Sequence, residues 1–438
     1  MELELSSIFQ KLKDIQPIRV YGKVTKVVGL TVESEGPPAS IGEIVLMEDN
    51  DIKTPFQVIG FNHKKVISMP LGDVIGIYPG QRLYSTESYP GLKIDESFLG
   101  RVINGRGVSI DGKGELRGRD YIKVYNKPIN PMKRKPISKI LSTGIRAVDG
   151  FITVGQGQRI GVFSGSGVGK STTMGMIARN TNADINVICL VGERGRELKD
   201  FLDNSLGEEG LKRSVVIVAT SDEPPLIKIL SAFTAAAVSE YFSGLGYNVM
   251  LMMDSLTRLS MAQREVGLSA GEPPSTKGYT PSVFTQMPML MERAGNFEKG
   301  SITAIYTVLV EGDDINEPVS DHARSILDGH IVLSREIAHK NHYPAIDVLG
   351  SISRLMDDIA SDVHKKAAGR LKELIAVYKE AEDLINIGAY AEGSNKKIDI
   401  AINKIDIIND FLKQGKYEKS TFEQTVSKMV EILKDEEI

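Results

Sequence analysis

The sequence predicts a multi-domain protein with a small N-terminal β-barrel, a central α/β core with a mainly parallel sheet, and a C-terminal α-helical domain. Short alternating apolar runs with Gly and Pro turns occupy residues 18–84, strands alternate with helical stretches over 137–355, and only helical periodicity follows residue 356. A length of 438 residues allows about three domains. We place their limits at 18–90, 91–355 and 356–438, after an N-terminal amphipathic helix over 1–17.

The charge balance excludes a protein that coats nucleic acid with bulk positive charge. Lys and Arg number 53 and Asp and Glu number 57, so the formal net charge is -4. The apolar fraction of 41% and the charged fraction of 25% are typical of a soluble globular protein. A local basic groove is still compatible with this total, because net charge does not describe the distribution of charge over the surface.

Neither a membrane span nor a secretory leader is expected. The longest apolar runs, such as 215–219 and 249–253, have about five residues, whereas roughly 18 are needed to cross a bilayer. The first residues lack a basic leader followed by an apolar block, which predicts a cytosolic protein. Cys189 is the one cysteine, which excludes an internal disulfide, and its apolar neighbours predict a buried, inert thiol.

The first segment carries one apolar helical stripe, formed by Leu5, Ile8, Phe9 and Leu12 among charged residues. So short a helix at a chain end is marginal by itself and must rest on another surface. That surface belongs either to the same protein or to a partner, and the residues leave both alternatives open.

The barrel is predicted from short strands such as 18–24, 42–46 and 73–77, separated by turns at 35–38 and 78–80. The glycine-rich run 99–107 and three following prolines are interpreted as the connection to the core. In the core we expect buried parallel strands covered by helices on both faces. The predicted strands are 159–163, 187–190, 215–219, 249–253, 302–310 and 331–334, and the predicted C-terminal helices are 365–387 and 398–412.

A glycine-rich loop lies between the first of these strands and a helical run, in the order that a phosphate-binding P-loop needs. Its residues are Ser164, Gly165, Ser166, Gly167, Val168, Gly169, Lys170 and Ser171, with Thr172 next. Glycines let the backbone N–H groups point inward, the lysine reaches the β- and γ-phosphates, and the Ser171 hydroxyl can ligate Mg²⁺. Ser164 departs from the usual glycine at the first position, but its side chain is small.

Acidic residues at strand ends supply the remaining chemistry. Asp254 ends an apolar strand, where the carboxyl edge of an open α/β sheet gathers ligands, and we assign it to Mg²⁺. Hydrolysis also needs a group that orients the attacking water and accepts its proton. Glu193 and Glu197 both follow the strand 187–190, and the spacing does not decide between this role and surface pairing with Arg194 and Arg196.

Several motifs together resemble the family of flagellar protein-export ATPases, which is related to the catalytic β subunit of rotary ATP synthases and to the ATPase of type III injectisomes. The resemblance runs from about residue 18 to the C-terminus. Its motifs are the P-loop, Gly192-Glu193-Arg194-Gly195-Arg196-Glu197, Asp254-Ser255-Leu256-Thr257-Arg258, Gly271-Glu272-Pro273-Pro274, Gly278-Tyr279-Thr280-Pro281-Ser282-Val283-Phe284 and Asp328-Gly329-His330-Ile331-Val332-Leu333-Ser334-Arg335.

The resemblance implies a RecA-like core in a homohexameric ring, with ATP and Mg²⁺ held at subunit boundaries. It makes Glu193 the catalytic carboxylate and puts Arg194, Asp254 and Arg258 in the charge network around the γ-phosphate and Mg²⁺. The nucleotide-binding residues it implies are Gly165, Ser166, Gly167, Val168, Gly169, Lys170, Ser171, Thr172 and Tyr343.

Three further assignments follow from the same resemblance. Tyr343 stacks on the adenine ring, or else is a core aromatic, and the second wall of that pocket falls within 411–417. Arg354 is an arginine finger for the neighbouring subunit, a role worth roughly 10³ to 10⁵ in rate; the alternative is a surface salt bridge worth about 0 to 1 kcal/mol. The irregular run 268–279 faces the central channel of the ring, or else is a rigid surface loop.

The function that this resemblance implies is ATP hydrolysis that energises export of flagellar proteins, in the cytoplasm and peripherally at the membrane export apparatus. Expected partners are a regulatory stator-like protein at the N-terminal stripe, export chaperones with their cargo, and the membrane export gate. An injectisome ATPase is the close alternative. A ring-shaped RNA translocase is more distant, since it needs aromatic residues interleaved with Lys and Arg on the barrel, and no such cluster is evident in the sequence. Nucleic acid is therefore not an expected partner.

Overall fold

The computed structural model describes residues 19–49, 52–72, 75–310, 314 and 316–435. The predicted N-terminal helix, with Leu5, Ile8, Phe9 and Leu12, lies outside these residues. The described chain divides into two compact units. One holds the described residues up to Pro90 together with Glu265–Glu272, and the other holds Gly91–Arg264 and the described residues from Pro273 onward. The domain limits given above stay predictions.

The first unit contains the predicted barrel. Its strands are β1 (Tyr21–Val28), β2 (Thr31–Glu35), β3 (Ile44–Asp49), β4 (Ile52–Asn62), β5 (Lys65–Pro70) and β6 (Arg82–Ser88). They close in the order β1-β2-β5-β4-β3-β6, with antiparallel neighbours. Alternate residues of a strand point to opposite faces, and the inward set forms one apolar core that includes Val32, Val45, Phe56 and Leu83.

The strand predicted over 73–77 is wrong in the part that the structure describes. Ile75 and Gly76 form a turn, and the Ile75 side chain is exposed. Gly76 has a φ of 88° and Gly80 a φ of 96°, in the left-handed region that favours glycine. These turns outweigh the alternation of apolar residues, and the chain rejoins the barrel at Arg82.

Aromatic and basic side chains that are distant in the sequence meet on the barrel. Tyr21 pairs with Tyr84 across β1 and β6, with ring centroids 5.8 Å apart. The guanidinium of Arg19 lies 4.9 Å from the Tyr84 ring centroid, and that of Arg82 lies 5.8 Å from the Tyr21 centroid. The expectation that the barrel lacks interleaved basic and aromatic residues therefore needs correction, because strand pairing brings together what the linear sequence separates.

The second unit is built on a sheet with the order β19-β18-β12-β17-β15-β13-β14-β8, and β16 pairs with β17. These strands are β8 (Arg101–Asn104), β12 (Arg159–Ser164), β13 (Ile185–Glu193), β14 (Ser214–Thr220), β15 (Asn248–Asp254), β16 (Gly295–Asn296), β17 (Ser301–Leu309), β18 (Gly329–Leu333) and β19 (Ile346–Ser353). Two small pairs are β7 (Gly91–Ile94) with β9 (Asp120–Lys123), and β10 (Ile140–Leu141) with β11 (Val154–Gly155).

All six predicted core strands are confirmed, but three members of the sheet, β8, β19 and the two-residue strand β16, were not predicted. The run 99–107, interpreted as a connection, contains β8, which pairs in parallel with β14. The last strand, β19, runs antiparallel to β18 and ends beside its start. Its buried residues, Ile346, Val348 and Ser351, are separated irregularly by exposed or half-buried ones, unlike the continuous apolar runs of the central strands.

The described α-helices are α1 (Arg146–Phe151), α2 (Lys170–Asn180), α3 (Gly195–Asp200), α4 (Gly207–Lys212), α5 (Pro225–Gly244), α6 (Leu256–Ser269), α7 (Pro281–Met291), α8 (Pro318–Ile326), α9 (Arg335–His339), α10 (Met356–Ile359), α11 (Asp362–Asn386), α12 (Lys396–Leu412) and α13 (Phe422–Ile432). A π-helix covers Phe201–Leu206, and 3₁₀ turns cover Glu96–Phe98, Pro131–Lys133 and Thr276–Gly278. The run predicted to be irregular, 268–279, thus starts in the last residues of α6 and contains a 3₁₀ turn.

Helix α5 is long and apolar enough, by length and composition alone, to cross a membrane. In the structure 83% of its apolar stretch is buried, and it packs on β13, β14 and β15. This burial is typical of a core helix. The search for uninterrupted apolar runs did not detect this helix, because polar residues such as Lys228 and Thr234 interrupt it.

The C-terminal helices share one apolar core with the sheet, as residues from α11, α12 and α13 pack with α1 and α2. Among the described residues beyond 356 there is no strand, as predicted. Cys189 lies in the middle of β13, fully buried, and burial raises the pKa of its thiol to about 12. The prediction of an inert thiol is consistent with both observations.

Candidate active site

The phosphate-binding loop joins the end of β12 to the start of α2. Gly167 and Gly169 have φ angles of 81° and 94°, so both positions require the left-handed conformation that glycine adopts without a steric penalty. Helix α2 begins at Lys170, and Ser171 is exposed at its first turn. Ser164 is buried at the loop start, where its carbonyl accepts a hydrogen bond from the Val310 N–H at 3.0 Å.

Two carboxylates converge on the lysine of this loop. Glu193 ends β13 and Asp254 ends β15, and these strands are parallel neighbours, so both acids reach the same sheet edge. The Lys170 ammonium forms a hydrogen-bonded ion pair with Asp254, and its Nζ lies 3.7 Å from Glu193 Oε1. Asp254 also accepts a hydrogen bond from the Thr307 hydroxyl at 2.7 Å. All three charged side chains are largely buried.

The environment of Glu193 raises its pKa from 4.5 to about 6. Burial is the main cause, and the nearby Asp254 carboxylate acts in the same direction. The positive charges of Lys170 and Arg258 oppose this shift. A buried carboxylate with such a pKa is ionised at neutral pH and is close to the range that suits a general base.

Arg258 is a second positive charge beside Glu193. Its Nη2 lies 3.2 Å from Glu193 Oε1, and its Nη1 donates a hydrogen bond to the Gly192 carbonyl. The preceding residue, Thr257, fixes the start of α6 to β17, since its hydroxyl accepts a hydrogen bond from the Leu309 N–H at 2.8 Å. The segment around Arg258 is therefore held to both flanking strands.

These groups line one cleft with a volume of about 640 Å³. The loop residues Gly165–Thr172 form one wall, and Glu193, Glu197, Arg258 and Arg335 lie on the other sides. Within the described residues no cluster of three or more His, Cys, Asp or Glu side chains could hold a metal alone. The oxygen donors of Ser171 and Asp254 fit Mg²⁺, which takes few protein ligands and completes its shell with phosphate oxygens and water.

Burial separates the two glutamates that the spacing leaves undecided. Glu193 is 8% exposed and faces Lys170 and Arg258. Glu197 lies at the rim of the cleft and pairs with Arg194, with 3.3 Å between Glu197 Oε1 and Arg194 Nη1. The Arg194 side chain is largely exposed. Surface pairing thus applies to Glu197 and Arg194, and the structure brings Glu193 but not Arg194 onto the loop lysine.

Tyr343 lies beside the loop with an exposed ring. The ring is close to Gly169, since a methyl group in place of the glycine hydrogen would lie 3.7 Å from the nearest ring atoms. The predicted second wall, 411–417, also reaches this point, as the Gln414 N–H donates to the Tyr343 carbonyl at 2.9 Å. Of its aromatic residues, Phe411 is buried against Arg146 and Phe151.

Arg354 lies away from the loop of its own chain. Ser353 pairs with Gly329 at the start of β18, while Leu333 at the other end of β18 pairs with Ser164. Over that length a strand rises about 13 Å, at roughly 3.3 Å per residue. Arg354 is exposed at the sheet edge opposite the P-loop.

Sequence reasoning missed two contributors to the site, Thr307 and Gln414. Thr307 lies inside an apolar strand, and only the adjacency of β15 and β17 brings it to Asp254. Gln414 carries no local motif. A polar residue within an otherwise apolar strand is the one signal that could have drawn attention to Thr307.

A strand, a glycine loop and a helix, with a lysine facing two strand-end carboxylates, define a P-loop nucleoside triphosphatase. The family model described as "ATP synthase alpha/beta family, nucleotide-binding domain" matches residues 144–353, and that described as "T3SS EscN ATPase C-terminal domain" matches 360–431. The chain is 48% identical to the flagellum-specific ATP synthase of Bacillus subtilis (strain 168), and the alignment covers 99% of this chain and 100% of that protein. It is 45% identical to a type 3 secretion system ATPase of Xanthomonas euvesicatoria, over 95% of both.

Among solved structures, the assembled ATPase EscN of the enteropathogenic E. coli type III secretion system superimposes with a TM-score of 0.90 at 42% identity, covering 94% of this chain and 100% of that one. The chain therefore belongs to the family of flagellum-specific ATP synthases and type III secretion ATPases. It is an ATP-hydrolysing enzyme of that family, and the resemblance and the fold class predicted from its sequence are confirmed.

Proposed function

We propose that this chain forms a homohexameric ring that hydrolyses ATP with Mg²⁺ and so energises export of flagellar proteins through a type III secretion apparatus. One observation carries the catalytic part of this proposal: a buried glutamate, Glu193, faces the P-loop lysine across a cleft large enough for a nucleotide. The names of the relatives, most of them flagellum-specific ATP synthases, support the cellular role.

In the proposed mechanism the loop residues Gly165–Thr172 bind the phosphates through inward backbone N–H groups. Lys170 neutralises β- and γ-phosphate charge, and in doing so leaves the carboxylates that it contacts. Ser171 and Asp254 would hold Mg²⁺, which when bound neutralises charge that develops on the phosphates. Thr307 keeps the Asp254 carboxylate oriented by its hydrogen bond.

Glu193 accepts the proton of the attacking water in this proposal. Its pKa of about 6 leaves it ionised at neutral pH but able to take a proton. Arg258 keeps that carboxylate beside the cleft, because it bonds both the Glu193 side chain and the Gly192 carbonyl. Arg194, at the rim, would join the charge network only after leaving its ion pair with Glu197.

The ring is supported by the place of Arg354. Because this exposed arginine follows the strand end opposite the P-loop, it is suited to the nucleotide of a neighbouring chain and not to its own. An arginine supplied in this way stabilises charge in the transition state. The similar solved structure of EscN is that of an assembled ATPase, and a second solved structure contains assembled EscN with its central stalk EscO.

Tyr343 and the segment 411–417 are proposed to bind the base, with Tyr343 stacking on the adenine ring. Their support is the exposed ring beside Gly169 and the hydrogen bond between Gln414 and Tyr343. The irregular segment around Thr276–Gly278 is proposed to face the channel of the ring, where a stalk-like protein would pass. A stator-like regulator, export chaperones with cargo, and the membrane export gate remain proposed partners of a cytoplasmic ring at the export apparatus.

The test is steady-state ATP hydrolysis per chain as a function of protein concentration, with and without single-stranded RNA. If sites are completed by assembly, turnover per chain rises with concentration and ignores RNA. Turnover per chain that stays constant over the concentration range in which the particle mass changes from monomer to ring would contradict an arginine supplied by the neighbouring subunit. Stimulation by RNA would support the translocase alternative. The measurement with RNA is needed because basic and aromatic side chains meet on the barrel, at Arg19, Tyr21, Arg82 and Tyr84.

A further inference from the structure

A buried glutamine organises the sheet edge from which Arg354 emerges. Gln158 is fully buried just before β12, and its Nε2 donates to the Asp328 carbonyl at 3.2 Å and to the Ser353 hydroxyl at 3.0 Å. Its Oε1 accepts a hydrogen bond from the Gly155 N–H at 2.8 Å. A carbonyl can only accept and a backbone N–H can only donate, so these partners fix the orientation of the amide.

One acceptor of Gln158 bonds the Arg354 backbone directly, and the other belongs to the residue before Arg354. The Arg354 N–H donates to the Asp328 carbonyl at 2.9 Å, so this carbonyl is shared between Gln158 and Arg354. Ser353 directly precedes Arg354, and its hydroxyl donates onward to the Thr153 carbonyl at 2.7 Å. The Gln158 side chain thus connects both Ser353 and the Asp328 carbonyl to the interior of the core.

Asp328 is itself held by charge. Its Oδ2 accepts hydrogen bonds from the Arg159 N–H at 3.0 Å and from Arg159 Nε at 3.1 Å. Arg159 also pairs with Glu292, and Arg134 lies 3.1 Å from the other oxygen of that carboxylate. Glu292 thus joins Arg159 and Arg134 beside the same end of the strands. The Asp328 backbone is consequently a fixed anchor.

We propose that Gln158 is a positioning residue that sets the place of the Arg354 guanidinium in the neighbouring active site. The inference rests on the proposed trans role of Arg354. A group that stabilises a transition state must be held close to its productive position, and a misplacement of about 1 Å can cost roughly 10²-fold in rate. A long exposed side chain gains such order only from its backbone, which here is fixed through Gln158.

The variant Gln158→Glu tests this with almost no change in shape. It keeps the acceptor for Gly155, but a carboxyl has at most one proton to donate, so at least one of the two hydrogen bonds to Asp328 and Ser353 is lost. Gln57→Glu is the matched control, since Gln57 is a buried amide of the barrel whose Nε2 donates to the Gly42 carbonyl at 3.1 Å. Mass measurement of both variants selects conditions in which rings form.

We expect kcat of Gln158→Glu to fall about 10- to 100-fold, with KM for ATP within about twofold of wild type and with Gln57→Glu unchanged in both. We also expect rescue in mixed rings with Lys170→Ala chains. The Lys170→Ala chain has no working site of its own but keeps a correctly held Arg354, so it restores turnover at the intact P-loop of a Gln158→Glu neighbour. Arg354→Ala mixed with Lys170→Ala is the reference for the size of that rescue.

The outcomes separate the two proposals. Loss of turnover in Arg354→Ala with normal kcat in Gln158→Glu would overturn the positioning role alone. If Gln158→Glu loses turnover and is not rescued in mixed rings, while Arg354→Ala is rescued, the defect of Gln158→Glu lies in its own active site. That result would also overturn the positioning role. Normal turnover of Arg354→Ala would overturn the trans arginine and this inference with it. If Gln158→Glu does not assemble, Ser353→Ala, which removes one acceptor of Gln158, must show the same kcat loss and rescue.

Discussion

Replacing Glu193 with glutamine should abolish turnover and at the same time stabilise the protein at neutral pH. The pKa of Glu193 is raised from 4.5 to about 6. A shift of this size corresponds to about 2 kcal/mol of unfavourable interaction of the ionised form in the folded state. Because the raised pKa already contains the attraction to Lys170 and Arg258, this is the net electrostatic cost of keeping a charged base in the cleft.

The sign of the effect follows from proton linkage. A carboxyl whose folded pKa is raised contributes stability below its unfolded pKa, near 4.5, and loses that contribution as the pH rises through about 6. Glutamine does not titrate. We therefore compare the free energy of unfolding of Glu193→Gln with that of wild type at each pH. Their difference, variant minus wild type, should rise by about 2 kcal/mol between a pH below 4.5 and a pH above about 6.

The assay is urea unfolding of both chains at a series of pH values and one fixed protein concentration, since assembly would otherwise shift the apparent stability. The kcat/KM of wild type over the same series, which reports the free enzyme, should show an acidic limb with its midpoint near 6. A stability difference that stays constant with pH would show that the Glu193 pKa is not displaced. Normal turnover by Glu193→Gln would refute its role as the base.

Three further substitutions test the remaining roles. Lys170→Ala should weaken nucleotide binding about 10- to 100-fold by titration calorimetry, as expected for loss of hydrogen bonds to a charged group, and unchanged affinity would contradict a phosphate contact. Tyr343→Ala should weaken binding about 5- to 150-fold, because stacking of a base on an aromatic ring is worth about 1–3 kcal/mol, whereas Tyr343→Phe should bind normally. Arg354→Ala should bind nucleotide normally and lose turnover, with partial recovery on mixing with Lys170→Ala, and a lack of recovery would count against a finger between subunits.

The elements that could be predicted are those whose signal is local. The central strands are continuous apolar runs, and the P-loop is a contiguous motif between a strand and a helix, so neighbouring residues are sufficient to define them. The strand β19 could not be found in this way, since only one of its faces is buried and its pattern is irregular. The 73–77 error has the opposite cause: a true alternation was overruled by left-handed glycines at the turn.

Within the site, the limit of sequence reasoning was the lateral order of the strands. The assignment of Asp254 to the sheet edge needed only that it end a strand. The choice between Glu193 and Glu197 needed burial, and from the residues alone it stayed open until the resemblance favoured Glu193. Thr307 and Gln158 were missed because their roles arise from contacts with other strands, β15 and β19, and strand order is a long-range property.

The same strand order explains why catalysis in the proposed ring is a property of chain pairs. The strands β12 and β18 run in parallel, so the P-loop lies at their carboxyl edge, while the return of β19 carries Arg354 to the opposite edge. Because both edges belong to one rigid sheet, whose core is continuous with the C-terminal helices, a displacement of that sheet moves the loop of one site and the arginine of the next together. In the proposed ring this shared sheet would couple neighbouring sites, provided that Gln158 and Asp328 keep Arg354 fixed to it.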